Sequence, residues 1–148
     1  MLALIQRVSR ASVTVTGEVV AKIGPGLMVL LGIVDGDTKK DAEYIANKLT
    51  GLRIFPGEEE NQEFHLSVKD IKGEILLVSQ FTLAGNCQKG KRPSFSLAMN
   101  PGDALPLYEY TASLLEEEVP TQKGIFGAHM EVELINDGPV TLMIDSKK

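Results

Sequence analysis

The 148-residue sequence is short of most of what familiar active sites are built from. It holds one cysteine, Cys87, so no disulfide can close within the chain, in keeping with a reducing compartment. Its two histidines, His65 and His129, and Cys87 lie far apart and in no metal-ligand spacing. A metal centre needs about three or four clustered ligands, so none is expected, and no cofactor is implied. No local signature around Cys87 supports a Cys–His nucleophile pair. The Gly-Pro-Gly at 24–26 lies between two strand-like segments and not ahead of a helix, so it is not a phosphate loop. No apolar stretch approaches the roughly 20 residues that a membrane helix needs. Met1–Arg10 has no cationic segment ahead of its apolar residues, which Gln6 and Arg7 interrupt. A soluble cytoplasmic protein with no membrane partner is the expectation. Positive charge is also lacking: the formal net charge is -5, which argues against broad nucleic-acid binding. One basic cluster, Lys89, Lys91 and Arg92, leaves room for a local contact, although read alone it is a solvated loop.

What is present suits one compact domain over residues 1–148, with 43% hydrophobic residues and 24% charged ones, close to the usual share of about 25%. Leu2–Val8 alternates, and Ala11–Val15 is β-branched, so both read as strands. Val19–Ile23 is another. Leu27–Val34 is almost continuously apolar, as a strand buried on both faces would be. Thr38 with Asp41 three residues on resembles a capping box, and Ala42, Ile45, Ala46, Leu49 and Leu52 repeat at helical spacing behind it. Phe64–Val68 reads as a short strand and Ile75–Val78 as a second buried one. A further helix is expected from about Asp103 as N-cap, with Pro106 in its first turn and Pro120 as its stop. Met130–Ile135 alternates, Asn136-Asp137-Gly138 reads as a turn, and Val140–Ile144 as a last strand. The element order implies an α/β or α+β domain, a mixed sheet carrying two helices.

Two segments stand out. Ser79-Gln80-Phe81-Thr82 follows a buried strand directly and is polar where that strand should end. Read alone it is a strand that simply continues; the alternative is a site held at a rigid strand tip. Asn136-Asp137-Gly138-Pro139-Val140-Thr141 reads alone as a hairpin turn, in which Asp-Gly is a favoured pair.

Together the two segments resemble the paired signatures of the D-aminoacyl-tRNA deacylases. Leu4–Val8 followed by Ala11-Ser12-Val13 resembles that family's N-terminal stretch, Arg92–Phe95 its mid-chain loop, and Gly124–Met130 its Gly-X-Phe-(Ala or Gly)-Ala-X-Met stretch. The likeness covers nearly the whole chain, in order. Asn86–Lys89 departs from the usual loop residues. The resemblance implies a partial barrel of the deacylase type. It implies an enzyme, a homodimer with sites at the subunit interface, that hydrolyses the ester joining a D-amino acid to the 3′-terminal adenosine of tRNA, as proofreading in translation. Ser79, Gln80, Phe81 and Thr82 are then catalytic, and Gly138 and Pro139 form a cis pair that reaches into the partner's pocket. Its carbonyls hold the substrate ammonium, so that an L-residue drives its Cβ into the Gly-Pro backbone while glycine, lacking a Cβ, can enter. Arg7 braces that pair. Phe126, Gly127, Ala128 and Met130 are implied as an adenosine pocket, with core packing as the alternative for Phe126 and Met130. His129 reads as a surface or lining residue, and Lys89, Lys91 and Arg92 as contacts to tRNA phosphates.

Thr82 has two readings within this frame. As a nucleophile it needs an activating base, and none accompanies it in the sequence. The preferred reading gives backbone N–H groups near Phe81 and Thr82 the role of an oxyanion hole, worth about 2.7–4 kcal/mol per donor, with the ribose 2′-OH helping to activate water. The rivals are a non-catalytic RNA-binding module that keeps the fold, and a relaxed relative acting on mischarged L-alanyl-tRNA.

Overall fold

The computed structural model describes residues 1–148. The frame is a six-stranded mixed sheet rolled into a nearly closed barrel. Its spine is a single 14-residue strand, β1 (Leu2–Val15), where the sequence reads as two strands. One edge of β1 pairs antiparallel with β3 (Gly26–Gly32) through Leu2–Val8 and then with β2 (Glu18–Ile23) through Ala11–Val15. The other edge carries β6 (Glu131–Asp145) along almost its full length. Parallel pairing adds β4 (Glu74–Ser79) to β3 and β5 (Thr121–Lys123) to β4. The Lys22 N–H then donates to the Gln122 side chain at 3.0 Å, tying β2 back towards β5.

Two crossover helices cover one face. Helix α1 (Lys39–Gly51) joins β3 to β4 and begins as its local sequence predicts, with the Thr38 N–H donating to the Asp41 carboxylate at 2.8 Å. Helix α2 (Pro101–Glu116) joins β4 to β5. Its cap is Asn100 and not Asp103: the Asn100 side chain accepts from the Asp103 N–H at 3.1 Å, with Pro101 in the first helical position. The helix therefore starts earlier than expected, and Pro106 lies inside it.

The two apolar runs are buried on both faces, as their composition implies. Leu27, Val29, Leu31, Ile75 and Leu77 face the helices, whereas Met28, Leu76 and Val78 turn into the barrel against Val8, Val13 and Ile23. Tyr108 of α2 is fully buried, and its hydroxyl donates to the Leu77 carbonyl at 2.9 Å. Burial, reinforced by the neighbouring Glu109 charge, raises the Tyr108 pKa and keeps the phenol protonated. Asp41 goes the other way: burial opposes its ionisation, but bonds from Ser146, the Thr38 N–H and Lys147 outweigh burial and lower its pKa. The Ser146 and Lys147 contacts tie α1 to the residues that follow β6.

Two further expectations are corrected. Phe64–Val68 forms no strand; a single bridge joins Phe55 to Leu66. Asn136-Asp137-Gly138 is not a hairpin turn, because the residues on either side of it pair with the same strand in the same sense. A hairpin would reverse the chain, and here the chain runs on along β1. No helix is long and apolar enough to cross a membrane.

Candidate active site

Strand β4 stops at Ser79, and the chain turns sharply. The Gln80 N–H donates to the Leu31 carbonyl at 2.8 Å, the last rung holding this segment to β3. Phe81–Ala84 then closes a single 3₁₀ turn, in which the Leu83 N–H returns to the Gln80 carbonyl at 3.3 Å and the Gly85 N–H to the Thr82 carbonyl at 2.9 Å. Gly32 lets the turn sit down on β3: a Cβ there would lie 2.9 Å from Leu83 Cβ and 3.1 Å from the Gln80 carbonyl oxygen. The first N–H groups of such a turn have no partner inside it. The strand-continues reading of Ser79–Thr82 is thus replaced by a rigid strand tip with a bent end.

This tip borders a cavity of about 620 Å³. Ser79, Gln80 and Phe81 line one side, and Phe126, Gly127, Ala128 and Met130, from the loop between β5 and β6, line the other. The structure therefore joins two groups that are more than forty positions apart in sequence. Phe126 is placed through α2, since its ring packs on Tyr108 with centroids 5.5 Å apart. Leu31, Ile33, Met99, Asn100 and Ala104 are among the other lining residues and were not singled out in sequence as site residues, where ordinary apolar residues and a helix cap carry no functional signal. Phe95 also lines it and stands edge-on to Phe81, with ring centroids 5.2 Å apart and planes at 75°. His129 is a lining residue and exposed.

Thr82 is exposed beside the cavity and is not part of its lining. Its hydroxyl oxygen accepts from the Gln80 side-chain amide. That partner is a donor, which cannot take the hydroxyl proton as a base would. Lys89, Lys91 and Arg92 project from an exposed loop closed by the Asn86–Ser94 bridge, and none of them enters an ion pair.

Gly138 and Pro139 are elsewhere. They are exposed on a swelling of β6, joined by a cis peptide bond, and take no part in the cavity of their own chain. The buried Arg7 holds the swelling from below: Nε donates to the Asp137 carbonyl at 2.9 Å and Nη1 to the Ile54 carbonyl at 2.8 Å. Gly138 has φ +143°, and a Cβ there would lie 2.8 Å from Val140 Cγ2 and 3.2 Å from Arg7 Nη2. One chain thus presents a cavity and, separately, a fixed backbone projection.

Comparison with known proteins identifies the family. Residues 4–145 match the family model described as D-Tyr-tRNA(Tyr) deacylase. The chain is 49% identical to a D-aminoacyl-tRNA deacylase of Thermodesulfovibrio yellowstonii, over 99% of this chain and all of that one. It is 53% identical to one of Persephonella marina, over 99% of each. Among solved structures, a protein titled c-Myc DNA Unwinding Element Binding Protein superposes with TM-score 0.92 at 43% identity, over 98% of each chain. A probable eukaryotic D-amino acid tRNA deacylase shares the fold at TM-score 0.81 and 19% identity, over 97% of each. The chain belongs to the D-Tyr-tRNA(Tyr) deacylase family, hydrolases that act on aminoacyl-tRNA.

Proposed function

We propose that this deacylase works as a homodimer in which Gly138–Pro139 of one protomer closes the Ser79–Phe81 cavity of its partner. It removes D-amino acids, and glycine, from the tRNA 3′-terminal adenosine and rejects L-amino acids, a proofreading step of cytoplasmic translation. The observation that carries this reading is the division of the site. The cavity of a single chain lacks the Gly-Pro segment, and that segment stands exposed with nothing of its own chain to act on. Ile135, Leu142 and Met143 are exposed on β6 on either side of it, which favours a second copy as the covering surface.

Selection is by exclusion. The Gly138–Pro139 carbonyls take the substrate ammonium, and the α-carbon is then fixed by its ammonium, its ester carbonyl and its hydrogen. A D side chain points outward, whereas an L side chain meets the Gly-Pro backbone. Arg7 keeps that backbone in place. Phe126, Gly127, Ala128 and Met130 receive the adenosine, and Lys89, Lys91 and Arg92 meet phosphates of the acceptor end without reading sequence. With net charge -5 and one cluster of three unpaired cations in the 86–94 loop, the chain is suited to one strand end and not to a duplex track.

The N–H groups of Phe81 and Thr82, which open the 3₁₀ turn, stabilise the developing oxyanion, and the ribose 2′-OH assists water. This reading is favoured over a threonine nucleophile because the one side chain bonded to the Thr82 hydroxyl is the Gln80 amide, which is no base. Incubating the protein with matched D- and L-tyrosyl-tRNA and following free tyrosine tests the reading. Release from the D substrate alone is expected. Release from neither would leave a binding module, and release from both would remove the chiral filter.

A further inference from the structure

We infer that Asn136 is the positioning residue that fixes the Gly138–Pro139 segment at its working height above β1, and so sets the discrimination between D and L substrates; this rests on the chirality reading above. The register shows why such a residue is needed. Gln6 pairs with Thr141 and Val8 with Asn136, so the four residues Asp137, Gly138, Pro139 and Val140 face the single residue Arg7. Across that interval the regular ladder is interrupted, and the swelling must be held by side chains.

Two side chains hold it. Arg7 bonds only its near end, the Asp137 carbonyl, and lies beneath Gly138. At the far end Val140 is anchored by its buried side chain, and its main chain is bonded by Asn136. Its Oδ1 accepts from the Val140 N–H at 2.8 Å, and its Nδ2 donates to Thr141 Oγ1 at 2.8 Å. Asn136 is the last residue in register before the swelling and Thr141 the first after it, so the carboxamide spans the base of the loop and fastens one end to the other. Pro139 has no N–H to offer, which makes the Val140 N–H the first main-chain donor available after the Gly-Pro pair. Because that N–H can only donate, it also fixes which end of the amide is oxygen.

The chemistry is specific to a short group with two polar ends. Alanine supplies neither bond. Aspartate keeps the bond from Val140 and can accept the other from the Thr141 hydroxyl, which is free to rotate. The other half of the clasp, Thr141, is exposed, so Thr141→Val removes one bond without touching the core.

The test compares wild type, Asn136→Ala, Asn136→Asp, Thr141→Val and the double variant Asn136→Ala/Thr141→Val, with kcat and KM measured separately on D- and L-tyrosyl-tRNA and Tm recorded for each. Asn136→Ala should lower the D-over-L preference by about ten- to a hundredfold, mainly by raising KM for the D substrate, as a loosened positioning element does. Asn136→Asp should retain the preference within about threefold. Thr141→Val should give a partial loss in the wild-type background and none in the Asn136→Ala background, since the bond it removes is already gone. An Asn136→Ala protein with lowered Tm and unchanged preference would overturn the proposal, as would an Asn136→Asp protein no more selective than Asn136→Ala. If Asn136→Ala does not fold, an unchanged preference in Thr141→Val overturns it. A wild type that does not distinguish D from L brings down the chirality reading and this inference together. A selective wild type with an equally selective Asn136→Ala brings down this inference alone.

Discussion

Ser79–Ala84 and Asn136–Thr141 are held in place by opposite means. The first is main-chain architecture: β4 lies between two parallel partners, its residues Ile75–Val78 are buried, and the turn that follows is anchored by the Gln80–Leu31 rung and seated on Gly32. The second is a departure from the ladder on a strand whose outer edge is open, held by the side chains of Arg7 and Asn136. On the proposed reading, the part that offers fixed N–H groups is built by the sheet. A part that must project beyond the sheet is built by clasps. The first region should therefore tolerate side-chain changes at its exposed positions, and the second should not.

The largest expected effect tests the first half of that contrast. A substrate ending in 2′-deoxyadenosine should be cleaved at least about a hundredfold more slowly, the usual scale for a lost proton-transfer partner. Thr82→Ala, by contrast, should keep most single-turnover activity. Loss of activity in a correctly folded Thr82→Ala protein would make the threonine a nucleophile and the region's side chains decisive.

Next is Gly138→Ala. Its methyl would press on Val140 and Arg7 at a backbone φ that L side chains rarely adopt, so the projection must move. The kcat/KM for D-tyrosyl-tRNA should fall by about a hundredfold, a loss typical of a misplaced positioning element. Unchanged deacylation would break the contrast from its other side.

How much of this was legible in sequence follows the same line. Features fixed locally were readable: Thr38 and Asp41 announce the start of α1, and the apolar runs 27–34 and 75–78 announce strands covered on both faces. The Ser79–Thr82 segment was recognisable as a motif, but its bend depends on Gly32, far earlier in the chain. The hairpin expected at Asn136–Gly138 was wrong because Asp-Gly suits a tight turn and a swelling alike, and only pairing with β1 decides between them. The three-residue β5, Thr-Gln-Lys, has no apolar pattern to betray it. The cavity walls at Leu31, Ile33 and Met99 look like core in any sequence, and only the fold opens a space beside them.

Smaller effects sharpen the picture. Arg7→Lys keeps the charge but loses the fork that reaches two carbonyls at once, so it should destabilise the protein by about 1.5–3 kcal/mol and reduce D-over-L preference, with denaturant unfolding and paired kinetics as the readouts. The smallest effect lies outside both regions. The lowered pKa of Asp41 means that its ionised form is favoured in the folded state. Its contribution is complete above the unfolded carboxylate value of about 3.9 and is lost as pH falls from there towards the lower folded value. Asp41→Asn should flatten the acid limb of a stability–pH curve and leave deacylation at neutral pH unchanged.

The central claim is that the working site is divided between two protomers, and subunit complementation tests it most directly. Gly138→Ala spoils the projection, and Ala128→Trp fills the cavity; each alone should be nearly inactive. Mixed and allowed to exchange, they should recover about a quarter of wild-type activity, because half the dimers are then mixed and each of those has one intact site. A mixture no more active than its two components would contradict the account and place the whole site within a single chain.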